Sequence, residues 1–498
     1  MSARNPVVRR NVALLMGGKL IGLLAVLMLI HWLTPETASA AEGEPDPLVT
    51  VNALNTVWVL VAAFLVFGMQ VGFVMLEAGF ARERESVNIL VEGIADTCIC
   101  GVLFWAIGFA FMFGEGNGFI GTHGFFLHGL PDTYGTTGVP LMAYWVFQFA
   151  FADTASTITS GAMVGRCGFV GDIVYSIGVT GFIYPIIGHW AWGPDGWLAL
   201  RGFRDFAGST VVHTIGGTIS LAGALALGPR LGRVFRRDGG GPMPPHNLLL
   251  GAIGGLMLWF GWYGFNPGST LSALDLQGIG RVSFNTTMAA CTGGLGALFI
   301  GYARTRKWDL GLTVNGFLGG LVAITCPCYW VDAQGAFIIG LVAAPIVVGG
   351  LDLLEYLRID DPIGAVPVHM FAGIWGTLSL GLFATGDFGL PGPLGADTSS
   401  VVTGLLYGGG AEQLIKQAYG VGSVAAATLG VSLVLMYSVK AIGLLRVDAE
   451  GELRGLDRHE HGLPAYSEFV IQPHGGFHGG GMSVPAPRPA PTAGDGGA

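Results

Sequence analysis

Long apolar runs recur along most of this chain, and they limit its possible folds more than any other feature. A helix needs ~20 mainly apolar residues to cross the hydrocarbon core of a bilayer. Hydrophobic residues make up 51% of the chain and charged residues only 11%, against about 25% charged in a soluble domain. Eleven runs reach the spanning length or nearly so, at residues 51–79, 88–113, 139–164, 170–192, 209–228, 247–267, 284–302, 311–330, 335–354, 364–385 and 420–445. We predict an all-α polytopic membrane protein with eleven transmembrane helices.

The first forty residues have the pattern of a cleavable signal peptide. A basic flank with Arg9 and Arg10 precedes the apolar core LIGLLAVLMLIHWL, and 38–40 supply the small residues of a cleavage site. The core of 14 residues is shorter than the ~20 that span a bilayer, so cleavage is favoured over a genuine first transmembrane helix. We predict a signal peptide over 1–40, an eleven-helix domain over 41–446, a cytoplasmic C-terminal segment over 447–472 and a disordered Gly/Pro-rich tail over 473–498.

The basic residues between the runs predict the orientation. Alternating loops on one side carry eleven of them, which are Arg82, Arg84, Arg166, Arg230, Arg233, Arg236, Arg237, Arg304, Arg306, Lys307 and Arg358. The other side carries four, Arg201, Arg204, Arg281 and Lys416. Because Lys and Arg accumulate in cytoplasmic loops, we predict an outside N-terminus and an inside C-terminus. With the signal peptide, this places a multi-pass protein in the cell (inner) membrane.

Two similar segments divide the apolar region into halves. DFAGSTVVH (Asp205–His213) leads into the fifth run and DPIGAVPVH (Asp361–His369) leads into the tenth, 156 positions later. Each half then has five spans, and this odd number inverts the second half relative to the first. The sequence therefore predicts two inverted five-helix repeats plus a final helix. Inverted repeats with a site at their interface are an architecture of transporters.

The ionisable residues of these segments have a structural and a functional interpretation. Asp205 and Asp361 can cap helix starts, accepting backbone N–H bonds, and a capping carboxylate can also act electrostatically. A lone histidine in a membrane helix is more often a packing residue. His213 and His369, however, occupy equivalent positions in the two repeats, and intramembrane ionisable residues are by default functional candidates. We interpret them as a functional pair.

Several other classes of protein are disfavoured by composition and spacing. The net charge is −9 and the basic residues form no stripe, so nucleic acid is not a predicted partner. Two histidines without a third ligand make a poor metal site, which argues against a metal-dependent membrane enzyme. No cofactor is predicted. The six cysteines show no zinc-type spacing and are interpreted as small apolar residues; they are Cys98, Cys100, Cys167, Cys291, Cys326 and Cys328.

The segments so far described, with others, resemble the ammonium transporter (Amt/Mep/Rh) family. DFAGSTVVH is similar to its fifth-span signature, GWYGFNPGS (Gly261–Ser269) to its sixth and DDPIGAVPVH (Asp360–His369) to its tenth. FQFAFA and HWAW fit its third and fourth spans, and the match runs in order from about residue 50 to about 467. The resemblance implies a homotrimer of eleven-helix protomers, each with its own pore. After its first span the family commonly has a Lys-Asn pair and an Asn further on, whereas this chain has Arg84-Glu85 and Glu92-Gly93.

The resemblance also implies roles for individual residues. The outer site that recruits ammonium corresponds to Trp192, Phe151 and Ser269, with Asp205 supporting the cation without touching it. The remaining positions that the resemblance implies belong to the pore: the phenyl gate is Phe151 and Phe265 with Phe147 beside it, Trp262 lines the pore, and His213 and His369 form the twin-histidine pair. Asp361 is interpreted as a structural residue that caps its helix. Without the resemblance, each aromatic residue would be interpreted as core packing.

The implied chemistry separates a proton from ammonia. Taking a bare cation into an apolar pore costs far more free energy than taking a neutral molecule, so an apolar pore passes ammonia and not ammonium. The paired imidazoles can accept the proton that ammonium loses. We expect ammonium transport, electrogenic as in most bacterial members. An ammonium sensor that signals through a cytoplasmic partner and a neutral Rh-like gas channel are the alternatives. The segment GLDRHEHGLPAYSEF (Gly455–Phe469) resembles the part of the family that meets PII-type signal proteins.

Overall fold

Helices form almost all of the regular structure. The computed structural model describes residues 47–135, 137–392 and 396–466, so the predicted signal peptide (1–40) and tail (473–498) lie outside the described residues. The helices are α1 (Pro47–Phe67), α2 (Met69–Phe80), α3 (Ser86–Leu103), α4 (Phe109–Phe113), α5 (Leu141–Ser160), α6 (Phe169–Gly178), α7 (Tyr184–Trp192), α8 (Trp197–Leu200), α9 (Ile215–Leu227), α10 (Leu248–Phe265), α11 (Leu276–Thr305), α12 (Leu310–Thr325), α13 (Ala333–Leu357), α14 (Ala372–Phe383), α15 (Glu412–Ala441), α16 (Ala449–Arg454) and α17 (Leu456–Glu460).

Strands are confined to three short antiparallel ladders in the connections. They pair β1 (Gly116–Asn117) with β2 (Ile120–Gly121), β3 (Thr133–Tyr134) with β4 (Val139–Pro140), and β5 (Leu390–Pro391) with β6 (Ala396–Asp397). Short 3₁₀ turns complete the connections, at Glu83–Glu85, Phe125–Leu127, Arg236–Asp238, Pro267–Thr270, Thr398–Ser400 and Leu405–Tyr407. The prediction of an all-α membrane protein is confirmed, because no ladder has more than two strands in the described part.

Each of the eleven predicted runs coincides with helix. Eight helical stretches in the described part are long and apolar enough to cross a bilayer. Three predicted runs fall outside that set: α5 and α11 are more polar, and α12 has only 16 residues. The count of eleven crossings and the orientation therefore stay predictions.

Two helices begin eight residues before the start predicted from the sequence. Helix α11 begins at Leu276, not 284, because the Asp275 side chain accepts a hydrogen bond from the Gly278 N–H at 2.9 Å and starts the helix early. Helix α15 runs from Glu412 to Ala441 rather than over 420–445, so its first two turns are polar. Apolar content marks the part of a helix that is in lipid, whereas capping sets where it begins.

The two Asp-to-His segments share an unusual backbone. Each enters its helix through π-helical residues, Ser209–Thr214 before α9 and Val366–Phe371 before α14. Each also has a glycine with positive φ at the equivalent position, Gly208 at +113° and Gly364 at +84°. Such a φ is costly for residues with a Cβ. Wider π turns inside α-helices are frequent at functional sites, and both of these contain a histidine.

These two helical stretches pack against each other in a reciprocal way. A Cβ atom on Gly217 would lie 2.4 Å from the Met370 backbone nitrogen, and one on Gly373 would lie 2.7 Å from the Thr214 hydroxyl oxygen. A separation of 156 positions relates Gly217 to Gly373 and also Thr214 to Met370. The contacts are thus exchanged when the halves are exchanged, which agrees with the predicted repeat. The close crossing brings the two buried histidines into contact.

A buried ion pair fastens the start of the second segment. The Asp360 carboxylate accepts hydrogen bonds from the Arg230 guanidinium at 2.8 and 3.0 Å, and Arg233 lies 3.4 Å from it. Arg166, which the sequence places in a loop, is itself buried and donates to the Asp360 carbonyl at 2.7 Å. Although burial opposes it, the Arg230 hydrogen bonds and charge keep the pKa of Asp360 well below its ordinary value.

Candidate functional site

A cavity at one end of the helix bundle contains the predicted outer site. It has a volume of about 430 Å³. Trp192, Phe151, Ser269 and Asp205 all line it, together with Phe147. The fold therefore brings these five residues, which lie far apart in the sequence, around one space of a size that admits a small hydrated cation.

Asp205 organises the floor of this cavity through backbone contacts. Its carboxylate accepts hydrogen bonds from the N–H groups of Gly208, Thr210 and Val211 at 3.0, 2.8 and 2.9 Å. Its own carbonyl accepts a bond of 2.8 Å from the Trp192 indole. Burial raises the pKa of Asp205 to about 6 against the lowering effect of the backbone bonds. Asp205 thus holds together the π turn and the indole of the outer site.

Ser269 offers an acceptor on the same cavity. Its hydroxyl donates to the Phe265 carbonyl at 2.8 Å and is only partly buried. A hydroxyl has two acceptor lone pairs, so its oxygen stays able to accept an N–H bond from a ligand. Because the hydroxyl hydrogen points at the Phe265 carbonyl, the lone pairs of the Ser269 oxygen point away from that carbonyl.

Two stacked phenyl rings separate this cavity from the interior. The rings of Phe151 and Phe265 lie 4.0 Å apart between centroids at an angle of 25°, and both are buried. Phe147 packs beside Phe151 at 4.6 Å, and the Trp192 ring lies 6.1 Å from Phe151. Phe265 also stacks on the His213 ring at 5.4 Å, so the phenyl pair lies between the cavity and this histidine.

The two histidines meet directly behind the stack. The Nδ1 atoms of His213 and His369 are 3.2 Å apart, and both rings are buried. The His213 ring stacks on Trp262 at 5.1 Å and on Phe265 at 5.4 Å. Trp262 is fixed in turn by an indole bond of 2.9 Å to the Thr325 hydroxyl.

The contact between the histidines constrains their hydrogens. One Nδ1 must donate and the other accept, so a neutral pair consists of two different tautomers. The Nε2 atom of His213 is buried and has no hydrogen-bond partner in the described part of the chain. A buried polar atom left unpaired costs about 1–3 kcal/mol, and a passing polar molecule can satisfy it.

A smaller cavity lies on the other side of the pair. Its volume is about 20 Å³, and His369, Phe73 and Glu77 line it. The histidines therefore stand between two spaces on opposite sides. Asp361, near this smaller cavity, accepts from the N–H groups of Gly364, Ala365 and Val366 at 3.0, 3.0 and 2.8 Å.

Some residues of the site were not predicted from the sequence. Gln148 lines the outer cavity and Glu77 the inner one, and both are buried polar residues on otherwise apolar helices. That contrast with their neighbours was the signal available. No cluster of three His, Cys, Asp or Glu side chains in residues 47–135, 137–392 and 396–466 is arranged to hold a metal ion.

Comparison with known proteins decides the family. The chain matches the Ammonium Transporter Family over residues 57–466. It belongs to that family. It is 41% identical to ammonium transporter Amt2 of Archaeoglobus fulgidus, over 91% of this chain and 97% of the relative. It is 36% identical to ammonium transporter 3 of Dictyostelium discoideum, over 83% and 94%.

Solved structures of ammonium transporter family proteins agree with the fold. A sensor Amt protein matches with a TM-score of 0.75 at 36% identity, over 83% of this chain and 99% of that chain. Mep2 of Saccharomyces cerevisiae matches with a TM-score of 0.74 at 29% identity, over 82% and 92%. The resemblance and the multi-pass membrane architecture predicted from the sequence are thereby confirmed.

Proposed function

We propose that this protein transports ammonium by recruiting the cation at the outer cavity, removing one proton and passing ammonia along the histidine pair. The observation that carries the proposal is the His213–His369 contact of 3.2 Å between two cavities, behind the stacked Phe151 and Phe265 rings. The proton crosses separately, which makes transport electrogenic. No enzymatic step and no cofactor are part of it.

Recruitment follows from the residues around the outer cavity. A cation over an aromatic face gains about 0.5–2 kcal/mol, which the Trp192 and Phe151 rings supply. Ser269 accepts an N–H bond from ammonium, and ionised Asp205 adds favourable electrostatic potential while its oxygens remain bonded to backbone. These terms hold a cation at the entrance but are far smaller than the cost of taking it into an apolar channel.

Selectivity follows from the loss of a proton. Ammonium can become a neutral molecule, whereas potassium and sodium have no proton to lose. Behind the gate, Trp262 and Phe265 make the path apolar around His213. The unpaired Nε2 of His213 gives ammonia one polar contact there. The gate therefore admits ammonia and excludes bare cations of similar size.

The assembly and its partners complete the proposal. We place the protein as a homotrimer in the lipid bilayer of the cell inner membrane, with a PII-type signal protein as a partner on the cytoplasmic side. The C-terminal residues support such a site, because Asp457 accepts from the Asn88 N–H at 2.9 Å and His461 contacts Asn88 at 2.9 Å. The segment thereby packs against the first turn of α3.

A sensor is the second candidate. The observation in its favour is the match to a solved sensor Amt protein at 36% identity. A sensor with this fold would bind ammonium at the same outer cavity and report it through a cytoplasmic partner. A neutral gas channel of the Rh type would use the gate and the histidines without moving charge.

Currents across a supported membrane distinguish these functions. Purified protein in liposomes receives pulses of ammonium, potassium and sodium, and an internal dye reports pH. The proposal expects a transient current with ammonium alone. A pH change without current identifies a gas channel, and ammonium binding without either signal identifies a sensor. Both of these outcomes contradict electrogenic transport.

A further inference from the structure

Two neighbouring helices outside the pore carry a buried acidic stripe. Glu92 and Asp96 are four residues apart on α3, and Asp172 and Ser176 are four apart on α6. Residues at this spacing share a helix face. All four are buried, with at most 5% of each residue exposed. None of them lines either of the two cavities described above.

The two faces point at each other. Asp96 lies beside Asp172 and Ser176, and Glu92 lies near Asp172. The Tyr175 hydroxyl donates to one oxygen of Asp172. One oxygen each of Glu92, Asp96 and Asp172 has no hydrogen-bond partner within the described ranges. The stripe is therefore a cluster of carboxyl groups with unused capacity for hydrogen bonds.

A neutral side chain gives independent evidence for an occupant. The Ser176 hydroxyl is fully buried and faces Asp96, and among the residues described no group outside the stripe forms a hydrogen bond with it. No Lys or Arg forms an ion pair with the stripe in that part of the chain. In the described part of the chain, the carboxyl groups of the stripe are also not arranged to hold a metal ion. Adjacent carboxyls that lack a cation cannot all be ionised, so the occupant is a proton.

The stripe extends toward both sides of the molecule. On the outer side, Asp153 lies near Asp96 and beside Gln70 and Thr97, and Gln148 of the same helix α5 lines the outer cavity. Both carboxylate oxygens of Asp153 lack partners in the part of the chain described. Gln148 and Asp153 are five residues apart, so the row of buried acids begins about one and a half helical turns from the cavity.

On the opposite side, the row ends at the C-terminal segment. Asn88 precedes Glu92 by four residues and lies beside it. The amide oxygen of Asn88 is 2.9 Å from Nε2 of His461, which is only partly buried. Glu460 is close enough to act on Glu92 through its charge. The row therefore reaches groups that contact water.

We infer that Asp153, Asp96, Asp172 and Glu92 form a proton path that is separate from the ammonia pore. This inference rests on the proposed function and names the route of the proton removed from ammonium. In each step an O–H bond breaks on one carboxyl as an O–H bond forms on its neighbour, so a proton moves without any other bond change. The Ser176 hydroxyl is placed to relay or stabilise the proton shared by Asp96 and Asp172.

Infrared spectroscopy tests whether the stripe holds a proton. We expect wild-type protein in liposomes at neutral pH to show a carbonyl band of protonated carboxylic acid that shifts in deuterated water. Asp172→Asn and Asp96→Asn should each reduce this band, whereas Asp352→Asn, the same change at an exposed carboxylate, should leave it intact. An unchanged band in both stripe variants would overturn the inference.

Transport separates the proton from ammonia. We expect Asp172→Asn and Asp96→Asn to lower the ammonium-evoked current at least fivefold. Ammonia that still crosses without its proton should then make the vesicle interior more alkaline than it becomes with wild type. Glu92→Gln tests the cytoplasmic end in the same way. Equal loss of current and ammonia flux in folded variants, or no loss of current, would contradict a separate path.

The controls keep this test apart from that of the proposed function. Thermal unfolding of each variant checks that the helices still assemble, and Ser176→Ala provides a milder variant if an acidic substitution prevents folding. A wild type that gives no ammonium current contradicts the proposed function itself. A wild type with normal current whose stripe variants also conduct normally contradicts only the proton path.

Discussion

The two Asp-to-His segments have the same backbone design but different surroundings. In both, a carboxylate accepts three backbone N–H bonds, a glycine with positive φ follows and a histidine lies in a π turn. The carboxylate, glycine and histidine positions agree one for one at an offset of 156. This shared design accounts for the placement of the histidines, and the capping carboxylates are part of it.

The surroundings are where the two segments diverge. Asp205 opens on a cavity of about 430 Å³, whereas the space beside His369 is about 20 Å³. The residue before each carboxylate also differs: Arg204 stands before Asp205, and Asp360, held by Arg230, stands before Asp361. The first segment therefore faces a space large enough for a ligand, whereas the second is fastened by the buried Arg230–Asp360 ion pair. The repeated residues give the two segments the same backbone geometry, whereas the residues around them, which are not repeated, make their surroundings different.

Breaking the fastened segment should have the largest effect. Removing one partner of a buried ion pair costs about 3–5 kcal/mol, and both side chains of Arg230 and Asp360 are at most 5% exposed. We expect Arg230→Ala to lower thermal stability accordingly, measured by unfolding in detergent. Arg236→Ala is the control, because its pair with Asp352 is exposed and worth about 0–1 kcal/mol. Equal losses in both variants would refute the distinction.

The same ion pair makes a pH prediction. Because the pKa of Asp360 is lower in the folded protein than its ordinary value, its contribution to stability is present above the ordinary aspartate pKa of ~3.9 and is lost as pH falls further. The stability of wild type should therefore fall in acid more steeply than that of Arg230→Ala, measured by unfolding across this pH range. Parallel curves would show that the pair does not contribute.

The carboxylates themselves should separate by function. We expect Asp205→Asn to reduce ammonium current at least tenfold, equivalent to about 1.4 kcal/mol, because it removes the charge facing the outer cavity. Asp361→Asn removes the equivalent charge where no ligand is received, and we expect a current within about threefold of wild type. Currents per reconstituted protein give the measurement. A reversed order would assign recruitment to the other segment.

Substitution of Trp192 tests the outer cavity, with a smaller expected effect than substitution of Asp205. Loss of a cation–π contact worth about 0.5–2 kcal/mol should raise the KM for ammonium about 2- to 30-fold in Trp192→Leu. Trp192→Phe retains an aromatic face and loses the bond to the Asp205 carbonyl, so it separates the two contributions. An unchanged KM for ammonium in Trp192→Leu would show that the Trp192 ring does not contribute to binding of the cation.

The smallest predicted effect concerns pH. Burial raises the pKa of Asp205 to about 6, and the Cys326 thiol is among the groups that oppose this rise. Transport should decrease as pH falls through about 6, since protonation removes the charge. Cys326→Ala should move this midpoint to higher pH, whereas Cys291→Ala, at an exposed cysteine, should not. Identical midpoints in the pH profiles of current would contradict this.

Much of the architecture could be predicted because lipid exposure demands long apolar helices. The apolar runs locate every long helix, and the offset between Asp205 and Asp361 indicates a repeat from the residues alone. Helix starts such as that at Leu276 were missed, because a single capping carboxylate decides them. The π turns were also missed, because amino-acid composition does not distinguish the i→i+5 hydrogen bonds of a π turn from the i→i+4 hydrogen bonds of an α-helix.

The site was predictable only in part. Motifs carried the positions of the histidines and aromatic residues, but not the contact of the two Nδ1 atoms, which depends on how the halves pack. The acidic stripe was visible in the sequence as Glu92 and Asp96 at helical spacing. Its partner Asp172 lies on another helix, and only the folded chain brings the faces together.

Substitution of the histidines tests the central claim most directly. Wild type, His213→Ala and His369→Ala, each in liposomes on a supported membrane, would receive equal pulses of ammonium and potassium. The account predicts an ammonium-selective current in wild type only, with the variants either silent or conducting both ammonium and potassium. Ammonium-selective current of wild-type size in both variants would contradict it, because the histidine pair would then be needed neither for transport nor for selectivity.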